Sequence, residues 1–288
     1  MTFQQLTYVV EISKCGSINK AAHKLFLSQS GISTAVRELE RILPGEQLIY
    51  FGDTGRVPYG SRSPETILKY ARQDVAFLRR FDLKAIVIAC GTVSTTSLDQ
   101  LAAEHPLPIR GVVEPAARAA VSATENHQIG LIGTAATIRS GAYERAMRAL
   151  DPEVQVTARA CPLFVPLVEN GRTEPGDVVI EQVCADYLAP VKAAGVDTLI
   201  LGCTHYPLLA KVIGAYMGPD VRLIDVGAAC ARQVADELAE NDRLAPAGTA
   251  GSSRYYVSDE VENFAALASR FLGREVGAQV DRVDIDKY

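Results

Sequence analysis

Seven short runs of apolar, largely β-branched residues recur along the chain after about Leu48: LIYFGD, AIVIAC, IRGVVEP, QIGLIGT, VQVTARA, TLILGC and VRLIDVG. Each stops at or beside Gly, Cys, Asp, Thr or Pro. Between them lie longer segments of helical period, such as SPETILKYARQDVAFLRRF and VCADYLAPVKAAGVD. Ser63-Pro64-Glu65 reads as a helix start, with a capping hydroxyl, a proline at the first helical position and an acid in the first turn. Strands that are apolar on both faces and alternate with helices imply parallel sheets covered by helices, an α/β fold. Ligands of such folds sit beyond the carboxyl ends of the strands. TAGSSRYYVSD predicts a loop entering a further strand, and Glu260–Leu272 a last amphipathic helix stopped at Gly273.

The first forty residues carry no strand-like run. Helical patterns over Phe3–Ser13, Ile18–Leu25 and from Gly31 through VRELERIL stand close together, with Ser17 and Ser28 or Ser30 as caps. That is helix-turn-helix spacing.

Composition narrows the class. The 288 residues are 48% hydrophobic and 22% charged, with a net charge of −5. These are globular values, and the charge argues against a whole-surface nucleic-acid binder. No apolar run approaches the roughly 20 residues that span a bilayer, and no secretory leader pattern opens the sequence. The chain reads as cytosolic. Gly-rich nucleotide motifs are absent, and the six cysteines and four histidines lack zinc spacing. In a reducing compartment the cysteines are expected to be free thiols.

Two of those thiols stand in matching places. Cys90-Gly91-Thr92 and Cys203-Thr204-His205 each follow an apolar strand, at the ligand-binding rim of a sheet. A lone cysteine there is most simply a packed thiol. Two, with threonines beside them and a histidine two residues on, suggest chemistry. His205 can approach Cys203 from the same face and promote its thiolate, and the threonine hydroxyls suit a carboxylate. Paired thiols on opposite sides of a carbon suit proton removal from one face and return on the other, which inverts the centre. No lysine motif for pyridoxal phosphate is evident.

From about Glu38 onward, YFGDTGRVPYG, SPETI, IACGTVS, GVVEPAARAAV, IGLIGTAATIRSGAYERA, ACPLFVPLVENG, LILGCTHYPLL and YYVSDEVENFAALASRFLG resemble the cofactor-independent glutamate racemases of the aspartate/glutamate racemase superfamily. The resemblance implies two similar α/β domains with the active site between them, residues 41–113 plus 225–288 forming one and 114–224 the other. It implies interconversion of L- and D-glutamate for peptidoglycan synthesis, with no cofactor and no metal. Cys90 would be the base for D-glutamate and Cys203 for L-glutamate, assisted by His205. Pro58, Tyr59 and Gly60 would form a loop touching substrate by backbone and ring. Gly91, Thr92, Thr134, Thr137 and Thr204 would bind its polar groups. Thr134 and Thr137 read equally well as a helix cap, and Glu169, an acid at the cleft edge, reads more simply as a solvated rim charge. A relative acting on aspartate or another amino acid is the nearest alternative.

Two departures from the family stand out. Gly91 replaces an asparagine, which removes a substrate-binding amide and predicts weaker binding. The family's opening strand, ending in Asp-Ser-Gly, is missing. Residues 1–40, with QQL, CGSINKAAHKLFLSQS and GISTAVRELE, instead resemble the helix-turn-helix of LysR-type regulators. The join falls near Val36–Ile42. Loss of a central strand would leave its neighbours unpaired, at about 1–3 kcal/mol per buried group, so either the front segment replaces it or the first domain is loose and turnover impaired. A DNA-binding regulator with a racemase-like domain is the second alternative. Ser28, Gln29 and Ser33 would then face the groove, but the dimerising linker helix is absent, and capping and solvent exposure are the preferred reading for them. Nucleic acid is therefore not an expected partner. A homodimer is one option for assembly.

Overall fold

The computed structural model describes residues 34–57, 59–272, 274–276 and 279–288. The first two helical patterns of the front segment, its groove-facing Ser28, Gln29 and Ser33, and the stop at Gly273 lie outside the described residues. The third pattern is a helix, Thr34–Ile42.

Nine strands are described, all paired in parallel: β1 Gln47–Gly52, β2 Ile86–Ile88, β3 Ile109–Gly111, β4 Gln128–Gly133, β5 Gln155–Ala160, β6 Thr198–Leu201, β7 Arg222–Asp225, β8 Ser252–Val257 and β9 Val280–Arg282. They form a four-stranded sheet in the order β5-β4-β6-β7, a three-stranded sheet β1-β8-β9 and a pair β2-β3. The seven apolar runs supply β1 to β7. IRGVVEP is divided, because β3 stops at Gly111 and Val113–Ala123 is helical. This is the expected α/β architecture, with helices covering both faces of parallel sheets.

The four-stranded sheet is the best-buried part. All four residues of β6 are buried, and so are five of the six in β4. One face packs against Val113–Ala123 and Ala142–Leu150 through Ala116, Ala120, Tyr143 and Met147. The other packs against Val178–Ala193 and Ala210–Met217 through Ile180, Leu188, Val191 and Ile213. Burying a Leu- or Ile-sized side chain contributes about 1.5–3 kcal/mol, so these layers make the sheet a rigid platform.

The helix Pro64–Leu78 starts where its sequence says. Ser63 Oγ accepts the Thr66 N–H at 3.3 Å and Pro64 occupies the first turn. Among the described residues no helix is long and apolar enough to cross a membrane.

Candidate active site

Cys90 follows β2 in extended conformation and caps the short helix Gly91–Thr96. Burial pushes its thiol above the ordinary range. The backbone N–H groups of Val93 and Thr92 and the Thr92 hydroxyl oppose that shift, while the charge of Cys203 adds to it.

Cys203 follows β6 across the cleft and is 7% exposed. Its Sγ lies 3.8 Å from His205 Nδ1, and Thr204 Oγ1 lies 3.3 Å from the same nitrogen. His205 Nε2 is 3.4 Å from Glu169 Oε1, an ion-pair distance without hydrogen-bond alignment. Glu169 ends the helix Phe164–Glu169, and its side chain is only 16% exposed, so it is no solvated rim charge. Burial disfavours the His205 imidazolium, but Cys203 and Glu169 outweigh burial and raise its pKa from 6.5 to about 10. His205 is thus buried between a thiol and a carboxylate that both favour its protonated form.

This carries a pH consequence. The folded protein binds a proton at His205 that the unfolded chain releases near 6.5. The associated stability is complete below that value and is lost as pH rises toward about 10. The difference in denaturation midpoint between the native protein and His205→Gln should therefore shrink between neutral pH and about pH 10. A pH-independent difference would contradict the assignment.

Hydroxyls meet across the cleft. Thr92 Oγ1 lies 3.3 Å from Thr134 Oγ1, which lies 3.0 Å from Thr137 Oγ1. Thr134 also caps its helix by accepting the Thr137 N–H at 3.2 Å, which is the cap reading of this pair. Gly91 is in closest approach: a β-carbon there would stand 2.8 Å from the Gly202 carbonyl oxygen, on the Cys203 side. The absent asparagine is thus also an absent spacer.

The loop after β1 meets the cleft at Gly60, whose β-carbon position lies 3.5 Å from Thr134. Pro58 is outside the described residues. Tyr59 is buried, and its hydroxyl donates to Asp53 Oδ2 and sits 3.2 Å from Asp74 Oδ2. These bonds make Tyr59 an anchor of the loop. Arg56 completes the anchor, bonding Asp53 at 2.7 Å, Asp74 at 2.9 Å and Gln73 at 2.6 Å, with its guanidinium 4.3 Å from the Tyr70 ring centroid. Asp53, Arg56 and Asp74 were not singled out from the sequence. The acid and base of FGDTGR were the available signal.

Cys90, Cys161, Cys184, Cys203 and Cys230 are free thiols. Among the described residues no group of three or more His, Cys, Asp or Glu side chains is placed to hold a metal ion. The segments that carry Cys90 and Cys203 thus approach each other at Gly91 and Gly202, with the hydroxyls of Thr92, Thr134 and Thr137 alongside.

The sequence profile of the Asp/Glu/Hydantoin racemase family matches residues 28–234, starting upstream of Glu38. That of the bacterial regulatory helix-turn-helix proteins of the lysR family matches residues 3–52. A glutamate racemase of Geobacter metallireducens is 45% identical over 253 residues, covering 88% of this chain and 93% of the relative. Among solved structures, a glutamate racemase of Bacillus anthracis superposes with a TM-score of 0.83 at 37% identity, covering 87% of this chain and 92% of that one. One from Francisella tularensis, solved with D-glutamate, gives a TM-score of 0.80 at 34% identity, with 88% and 94% covered.

Proposed function

Because the chain belongs to the Asp/Glu/Hydantoin racemase family, we propose that it interconverts L- and D-glutamate by proton transfer between Cys90 and Cys203. What supports the reading is the placing of a thiol just after β2 and another just after β6, with the hydroxyls of Thr92, Thr134 and Thr137 linking the segments that follow β2 and β4. We read residues 41–113 with 225–288 as one domain and 114–224 as the other.

In the forward step the Cys203 thiolate takes the α-proton of L-glutamate, and the electron pair stays on the α-carbon. The Cys90 thiol then gives its proton to the opposite face, yielding D-glutamate and a Cys90 thiolate. The reverse step exchanges the roles, so acid and base are near-equivalent. His205 Nδ1 stands 3.8 Å from Cys203 Sγ, and the N–H groups of Thr92 and Val93 oppose the rise that burial imposes on the Cys90 thiol. Thr92, Thr134, Thr137 and Thr204 supply hydroxyls for the α-carboxylate and ammonium groups, and Gly60 lets the loop backbone approach them. The product serves peptidoglycan synthesis, as in the family.

The test is α-proton exchange in deuterated water. Either enantiomer should give racemic product carrying deuterium at the α-carbon. Absence of exchange from both isomers would refute the reading.

Gly91 gives a second test. In Gly91→Asn the new side chain must part the cleft at Gly202, and such overpacking costs about 1–3 kcal/mol. The unliganded variant should melt at a lower temperature than the native protein. Saturating glutamate, which itself holds the two sides apart, should narrow the gap. An equal loss with and without ligand would contradict the account.

A further inference from the structure

The turn after β6 carries Cys203 and His205, and the next residue, Tyr206, opens a single helical turn, Tyr206–Leu209. The Tyr206 N–H donates to the Cys203 carbonyl at 3.1 Å, so thiol, imidazole and phenol belong to one closed turn. The Tyr206 side chain is fully buried, and its hydroxyl donates to the Cys161 carbonyl at 2.9 Å. Cys161 follows β5, and β4 lies between β5 and β6. The phenol therefore reaches past β4 to join the ends of two strands that do not pair. Backbone bonds fix both ends of that reach: the Cys161 N–H donates to the Gly133 carbonyl at 3.0 Å and the Gly202 N–H to the Ile132 carbonyl at 2.8 Å. Burial raises the pKa of the hydroxyl well above its ordinary value, which keeps it a donor.

The same Cys161 carbonyl also accepts the Phe164 N–H, at 3.2 Å. Phe164 opens the helix Phe164–Glu169, and its ring stands edge-on to that of Tyr206, with centroids 5.2 Å apart and planes at 88°. Hydroxyl and ring of Tyr206 thus hold the start of this helix. The helix has six residues, and helices shorter than about 12 residues are marginal in water by themselves. Its place is set by what packs on it. Tyr187 also backs Phe164, at 5.4 Å between centroids, and its hydroxyl accepts the Leu163 N–H at 3.3 Å. Tyr187, however, stands on the helix Val178–Ala193. Tyr206 alone of the two shares a turn with His205. At the far end of the helix, Glu169 Oε1 stands 3.4 Å from His205 Nε2. Tyr206 and His205, neighbours in sequence, therefore meet the two ends of one short helix.

We infer that Tyr206 is a positioning residue for the Cys203 side of the reaction, setting the helix Phe164–Glu169 so that Glu169 meets His205. The role rests on the two-thiol reading proposed above. Tyr206 itself moves no proton. An N–H···O hydrogen bond spans about 2.7–3.2 Å, so a small shift of the helix decides whether imidazole and carboxylate bond.

The test is one-sided proton exchange in deuterated water. Tyr206→Phe keeps the ring, and the Cys161 carbonyl keeps the Phe164 N–H, so no buried acceptor is left alone and the variant should fold. In a Cys90→Ala background only Cys203 remains to move the α-proton. There Tyr206→Phe should slow exchange of L-glutamate, by up to about 10²-fold, the cost of a misplacement near 1 Å. In a Cys203→Ala background, exchange of D-glutamate should be unchanged. Equal slowing on both sides would mean a general loosening of the fold and overturns the inference, as does no slowing on either. Glu169→Gln is then added in the Cys90→Ala background. Because the tyrosine acts through the carboxylate, the double change should cost no more than Glu169→Gln alone, and additive losses overturn the inference. Should neither background exchange, primary deuterium isotope effects on kcat/KM of the protein with both thiols decide. Tyr206→Phe should raise the effect for α-deuterated L-glutamate and lower it for the D-isomer, and equal changes overturn the inference. A native protein that exchanges neither isomer refutes the racemase reading and this role with it. One that exchanges both, with no difference between the two sides in Tyr206→Phe, refutes the role alone.

Discussion

Cys90→Ala and Cys203→Ala are each expected to abolish racemisation in both directions, by about 10²–10⁴-fold, the usual contribution of a positioned acid or base. One turnover needs one thiolate to accept a proton and one thiol to supply another, so either loss breaks both directions. The variants should differ in what they still do. With Cys90 gone, Cys203 can remove and return the proton on one face, so L-glutamate should exchange its α-hydrogen with solvent without inversion. Cys203→Ala should do the same for D-glutamate alone. Nuclear magnetic resonance of each enantiomer in deuterated water reads both results. Exchange of both enantiomers by either variant would mean that a group other than the two sulfurs handles the proton. His205 makes the pair unequal, because its imidazolium stands beside Cys203 and not Cys90. Its replacement should therefore slow removal of the L-proton more than removal of the D-proton.

The sequence carries the catalytic half of this site openly. Strands buried on both faces leave unbroken apolar runs, and a thiol that ends such a run is conspicuous at Cys90 and Cys203. β9 was not legible, since Val280-Asp281-Arg282 has neither alternation nor an apolar run and is a strand only because β8 offers it an edge. Glu169 was misjudged because its burial depends on packing against His205, far along the chain. The role of Tyr59 was hidden for the same reason: its hydroxyl partners, Asp53 and Asp74, converge only once the helix Pro64–Leu78 lies against the loop. The family resemblance pointed to a missing opening strand, and the residues that stand in its stead precede Thr34, outside the described residues.

Arg56→Ala is expected to give the largest loss of stability of any single change considered. The guanidinium is 12% exposed and contacts Asp53, which is 6% exposed, and Asp74, at 21%. Removing the cation leaves two carboxylates together in a poorly solvated pocket, with one Asp53 oxygen already without a partner. Breaking such a pair from one side costs on the order of 3–5 kcal/mol. Burial and Asp53 already push the Asp74 carboxyl well above the usual carboxylate range, and Arg56 opposes them. Without Arg56 the Asp74 carboxyl should rise further, so the folded variant takes up a proton as pH falls. The destabilisation, read by urea unfolding, should then be larger near pH 8 than near pH 5. Arg56→Lys keeps a point charge but loses the fork that spans both acids and the stacking on Tyr70, so it should fall between the two. Because the cluster fixes Tyr59, and Tyr59 fixes the loop that carries Gly60 to Thr134, the surviving folded fraction should show a raised KM with a smaller change in kcat. An unchanged KM would reduce the cluster to a support for the fold, with no part in holding the substrate loop.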